Sequence, residues 1–89
     1  MKSSAVDRPK LARAYTPLQG QYLAFIYYYG KLNRLPPAEA DMQRYFGTTG
    51  PSVHGMVKTL VRRGLIDRKP GVARSIRLLL SRAELPDLE

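Results

Sequence analysis

The chain's tightest constraint is the run Gly47-Thr-Thr-Gly-Pro-Ser-Val-His-Gly-Met-Val-Lys-Thr-Leu-Val-Arg-Arg-Gly64, followed at once by Leu65-Ile66 and a basic turn. Gly47 and Gly50 interrupt the pattern. Pro51 suits a first helical position, where its missing N–H is not needed, and Gly64 suits a left-handed closing residue. A helix is therefore expected from about Pro51 to Arg63. At about 100° per residue, Val53, Met56, Val57, Leu60 and Val61 share one side, with Gly55, Lys58, Thr59 and Arg62 on the other. One face is core. The other carries small residues early and cations later, which suits a helix whose first turns enter a groove while later turns meet phosphate. Gly55 costs a helix about 1 kcal/mol relative to alanine. Close approach to a base pair or backbone would explain it, and so would drift at an exposed site.

Such a helix needs a small body to pack on, and 89 residues with 44% hydrophobic content provide one modest core. With no cysteine and a single histidine, neither a disulfide framework nor a zinc cluster is expected, and no metal or other cofactor is implied. No apolar run approaches the roughly eighteen residues of a membrane span, and no leader-like apolar region opens the chain, so a cytoplasmic protein is expected. The formal charge of +8 favours a polyanionic partner. Its distribution is more telling. Lys58, Arg62, Arg63, Arg68, Lys69, Arg74, Arg77 and Arg82 lie between positions 48 and 82 with Asp67 as the one acid among them.

Residues 1–15 lack periodicity and read as a flexible basic arm, either idle or adding phosphate or minor-groove contacts. Thr16-Pro-Leu-Gln19 opens a first helix running to about Leu32: Thr16 caps, Pro17 takes the first position and Gln19 reaches back. Leu18, Tyr22, Phe25, Ile26 and Tyr29 are placed on its core face, Gly20, Ala24 and Lys31 opposite, and Tyr27 and Tyr28 on the flanks. The flanking tyrosines are expected to be half-buried, or else to form a dimer contact. Asn33-Arg-Leu-Pro-Pro37 breaks the helix. A short helix from about Ala38 to Phe46 follows, with Met42 and Phe46 inward and Glu39 and Asp41 in its first turn. Leu65-Ile66, a turn at Arg68-Lys-Pro-Gly-Val-Ala73 and a return strand Arg74-Ser-Ile-Arg-Leu-Leu79 make a basic hairpin. Its tip suits a phosphate backbone or minor groove, or serves as a charged edge against aggregation. Residues 81–89 read as a frayed tail.

No catalytic constellation emerges. Glu39 and Asp41 are capping charges without a nucleophile or general-acid partner, and His54 is the lone imidazole, so the chain is not expected to be an enzyme. The expected fold is mainly α with a small β-hairpin: a winged helix-turn-helix, three helices plus a two-stranded wing, over residues 16–80.

The motifs go further than this order of elements. Thr16-Pro-Leu-Gln-Gly-Gln-Tyr-Leu-Ala-Phe-Ile26, Leu35-Pro-Pro37, Ala40-Asp-Met42, Phe46-Gly47, Pro51-Ser-Val-His54, Val57-Lys-Thr-Leu60, Arg63-Gly-Leu-Ile66 and Arg74-Ser-Ile-Arg-Leu-Leu79 together resemble the N-terminal DNA-binding domain of the LexA family of repressors. The chain is also similar to short stand-alone LexA-like and MarR-like bacterial regulators. The resemblance covers about Thr16 to Leu79 and implies a duplex-DNA-binding transcriptional regulator. In this sequence the turn and the start of the third helix are one residue shorter than the family pattern. Thr48, Thr49, Gly50, Ser52, His54 and Gly55 also differ from the set that reads the family operator, so the operator does not carry over. The family's self-cleaving Ser-Lys domain has no counterpart in these residues, so no peptidase activity is implied.

Thr49, Ser52, His54, Gly55 and Lys58 should lie near base edges, and Arg62, Arg68, Lys69, Arg74 and Arg77 on phosphate or in the minor groove, with Tyr27 and Tyr28 as the candidate homodimer contact on double-stranded DNA. The alternative is a winged-helix protein- or RNA-interaction module without operator specificity.

Overall fold

The computed structural model describes residues 14–89, so the expected basic arm lies, up to position 13, outside the described residues. Helix α1 (Pro17–Asn33) starts as its sequence dictates: the Thr16 hydroxyl accepts from the Gln19 N–H at 3.2 Å, and the Gln19 side-chain oxygen accepts from the Thr16 N–H at 3.0 Å. It closes at Arg34, which takes a left-handed φ of 64° and donates its N–H to the Gly30 carbonyl. Helix α2 (Glu39–Phe46) is opened by Asp41, whose carboxylate accepts from the Ala38 N–H at 2.8 Å, and closed by Gly47 at φ 62°. Helix α3 (Gly50–Arg62) is capped by Thr49, and Gly64 beyond it has a φ of 75°.

The inward faces meet in one core of Tyr22, Leu23, Phe25, Ile26, Met42, Val53, Val57, Leu60, Leu65, Ile66, Ile76, Leu80 and Leu85. Tyr22 stacks on Phe46 with ring centroids 4.1 Å apart. Phe46, expected in the core, is half-buried against it. Strands β1 (Ile66–Asp67) and β2 (Arg77–Leu78) pair antiparallel, Ile66 opposite Leu78 and Asp67 opposite Arg77. Three helices and a two-stranded hairpin give the winged helix-turn-helix arrangement. Among the described residues no helix is long and apolar enough to cross a membrane.

Three local expectations are corrected. The return strand does not begin at Arg74: that residue is at φ 56°, outside strand geometry, and the Ser75 hydroxyl closes the loop by accepting from the Lys69 N–H at 2.9 Å. Residues 81–89 do not fray. A short 3₁₀ turn at Arg82–Glu84 leads into a segment that lies against α1: the Gln21 side chain donates to the Asp87 carbonyl at 3.0 Å and accepts from the Glu89 N–H at 2.8 Å, while Leu85 is buried. Tyr15 joins this layer by donating its hydroxyl to the Glu84 carbonyl. Gly20 and Ala24, assigned to an outward face, are buried, whereas Leu18, assigned to the core, is 54% exposed. A Cβ at Gly20 would stand 2.8 Å from the Tyr15 ring and 3.1 Å from Pro86, so the missing side chain is what lets this layer approach.

Candidate nucleic-acid interface

The amphipathic pattern of α3 fixes which side chains leave the core. Val53, Val57 and Leu60 are fully buried, and this turns Ser52, His54, Gly55, Lys58 and Arg62 outward. Thr49 caps the helix and lies against Ser52: the Thr49 hydroxyl accepts from the Ser52 N–H at 3.2 Å and stands 2.9 Å from the Ser52 hydroxyl. Both remain exposed, so the cap and a base edge draw on the same hydroxyls. Gly55 has no atom within 4 Å of where a Cβ would stand, so no intramolecular packing requires glycine there. One turn on, Lys58 and then Arg62 continue the outward stripe, Arg62 within 3.4 Å of the Thr59 hydroxyl.

His54 leans toward α2, its Nδ1 3.3 Å from both carboxylate oxygens of Glu39. The two share an open cleft with Arg68 and Arg74 of the wing, so α3 and the wing border one surface. The wing tip is a tight turn set by sequence. Pro70 and Gly71 occupy its corner, Gly71 at φ 76°, and the Val72 N–H donates to the Lys69 carbonyl at 3.0 Å. Arg68 and Lys69 flank that corner. Among the described residues no ion pair engages Lys58, Arg62, Arg68 or Lys69.

The remaining candidates are engaged within the chain. Arg77 faces Asp67 across the hairpin at 3.2 Å, both exposed, a pair that contributes at most about 1 kcal/mol. Arg63 donates to the Ala14 carbonyl. Tyr27 and Tyr28 meet edge to face and are half-buried, and Arg82 covers them: its guanidinium is 5.7 and 5.5 Å from their ring centroids and donates to the Tyr28 hydroxyl at 2.8 Å. Arg74 folds back instead of pointing outward. One guanidinium nitrogen lies 3.2 Å from an Asp41 carboxylate oxygen, 3.2 Å from the Tyr29 hydroxyl and 3.1 Å from the Pro36 carbonyl.

Asp41 carries more than its sequence position suggests. Spacing alone makes it a capping acid, and it does cap α2, yet it is buried and also pairs with Arg44 at 2.7 Å. The Ala38 N–H holds its carboxyl below the usual carboxylate range, against the opposing effect of burial, helped by Arg74, the Tyr29 hydroxyl and Arg44. A carboxyl depressed in the folded state stabilises fully above its unfolded value near pH 4 and loses that contribution as pH falls through the folded value. The melting temperature of the parent should therefore exceed that of Asp41→Asn at neutral pH, with the gap closing below about pH 4. A gap independent of pH would show that the carboxylate charge contributes nothing.

A family model described as the LexA DNA binding domain matches residues 12–75. The LexA repressor of Oleidesulfovibrio alaskensis is 38% identical over 61 residues, 68% of this chain and 30% of that protein. The LexA repressor of Cupriavidus taiwanensis is 36% identical over 75 residues, covering 81% of this chain and 35% of the relative. LexA repressor 1 of Pseudomonas putida is 36% identical over 64 residues, 71% of this chain and 32% of its own length. The chain thus spans about a third of the curated relatives it matches.

Proposed function

The chain belongs to the LexA DNA-binding domain family, and from that premise we propose that it is a sequence-specific transcriptional regulator of the cytoplasm that binds duplex DNA. The observation that carries the reading is the outward stripe of α3, small at Gly55 and cationic at Lys58 and Arg62, bordering a wing tip whose Arg68 and Lys69 have no ion-pair partner among the described residues. In this reading α3 enters the major groove, with Thr49, Ser52, His54, Gly55 and Lys58 toward base edges. Arg62, Arg68 and Lys69 meet phosphate or the minor groove. Hydroxyls and a lone imidazole make few bidentate base contacts, so discrimination per residue falls near the low end of about 1–3 kcal/mol. Non-specific affinity rests on counterion release. The domain performs no covalent chemistry in this reading.

The test is titration of labelled random duplex at several salt concentrations. Parent affinity should fall steeply with salt, and Arg68→Ala combined with Lys69→Ala should weaken all duplexes alike, flattening the slope by about 0.9 per lost phosphate contact. A double variant that binds every duplex like the parent would remove the wing from the interface. A parent without salt-dependent duplex binding would favour the protein- or RNA-interaction reading.

A further inference from the structure

A cation at the base of a wing invites assignment to phosphate, but Arg74 is committed elsewhere. Its guanidinium bridges three elements: the Asp41 carboxylate of α2, the Tyr29 hydroxyl of α1 and the Pro36 carbonyl of the connection between them. Its backbone is held at φ 56°, a conformation that side-chain-bearing residues adopt at a cost and keep only when their surroundings impose it. The next residue, Ser75, closes the wing loop: its hydroxyl accepts from the Lys69 N–H at 2.9 Å and lies 2.8 Å from the Val72 carbonyl. The path from Asp41 through Arg74 and Ser75 to Lys69 is therefore continuous, and Asp41 is itself fixed by the Ala38 N–H and Arg44.

We propose that Arg74 is a positioning residue for DNA binding, a clamp that fixes the wing to the corner between α1 and α2 through Asp41, so that Arg68 and Lys69 are presented in one orientation. It makes no phosphate contact of its own. The clamp rests on the reading of the wing as a DNA element. A loop held in its bound geometry does not have to be ordered on association, and this ordering is the loss a released wing would suffer. All three contacts are made by one terminal guanidinium nitrogen, which stands one bond farther from the backbone than a lysine ammonium, so a lysine at this position falls short of the same point.

The two roles separate in the salt dependence. Arg74→Ala and Arg74→Lys should each lower duplex affinity by about tenfold while the slope of affinity against salt stays that of the parent. Asp41→Asn, which removes no cation, should do the same, and Arg74→Ala with Asp41→Asn should be little worse than either alone. In the free protein, amide hydrogen exchange at Lys69 and Val72 should accelerate in both Arg74 variants while α3 amides keep their protection. A slope reduced by about 0.9 in Arg74→Ala, rescued by Arg74→Lys, would overturn the proposal in favour of a direct phosphate contact. Unchanged exchange at Lys69 and Val72 would overturn it whether or not DNA is present. Failure of the parent to bind duplex at any salt would instead sink the DNA reading itself, a result the exchange measurement does not depend on.

Discussion

Gly55→Glu should abolish duplex binding without unfolding the domain. Nothing lies within 4 Å of where a Cβ at Gly55 would stand, so a larger residue meets open solvent in the free protein. Replacing a mid-helix glycine by a good helix former also gains helix propensity, up to about 1 kcal/mol, so the melting temperature should hold or rise. On DNA the same change is adverse twice over. It adds bulk at the position proposed to approach a base pair or backbone most closely. It also places a carboxylate one turn before Lys58, pairing with that cation and repelling phosphate. The loss should exceed about a hundredfold, the effect of roughly 2.7 kcal/mol. Gly55→Ala, with one small methyl and no charge, separates the two causes: an affinity near the parent's assigns the loss to charge and length, and a large loss assigns it to close contact. Full affinity in a folded Gly55→Glu variant would move the reading surface away from α3.

How legible this was in the sequence differs by element. The start of α1 and the burial of Val53, Val57 and Leu60 follow from patterns contained within a few residues, where capping chemistry and helical period act locally. Gly64 and the Pro70-Gly71 turn are local in the same sense, because only a few residue types accept their dihedrals. The outward stripe of α3 was legible as the complement of its core face.

What escaped was tertiary. Asp41 and Arg74 are joined only once the wing returns to α2, and neither spacing nor composition announces that contact. The same cation reads as a phosphate ligand on a hairpin drawn flat and as an internal clamp on the folded one. The hidden face of α1 escapes for a related reason. Gly20 and Ala24 are small enough to belong to either a solvated or a close-packed surface, and at Gly20 the choice is made by Tyr15 and Pro86, which arrive from opposite ends of the described chain. Glu84, Asp87 and Glu89 make residues 81–89 look like a solvated tail, although Leu85 and Leu88 within that run already offer an apolar edge.

The second large effect lies in that same run, at Leu85. A frayed residue contributes nothing to stability, so Leu85→Ala would then leave the melting temperature unchanged. Leu85 is instead 8% exposed in a core where Leu60 is 0% exposed, and truncation of a buried leucine costs about 2–5 kcal/mol. A domain of this size has on the order of 5–10 kcal/mol in total, so Leu60→Ala should take much of the stability and Leu85→Ala a smaller but clear share, about 2 kcal/mol. At roughly 4–8 °C per kcal/mol, the Leu85 variant should melt about 8–16 °C below the parent. The two differ in what else they disturb. Leu60 supports α3 from beneath, whereas Leu85 belongs to the layer on α1, so at low temperature Leu85→Ala should keep parental duplex affinity and salt slope. Thermal melts with duplex titration at low temperature check both statements. An unchanged melting temperature in Leu85→Ala would show that the C-terminal layer is not part of the folded unit.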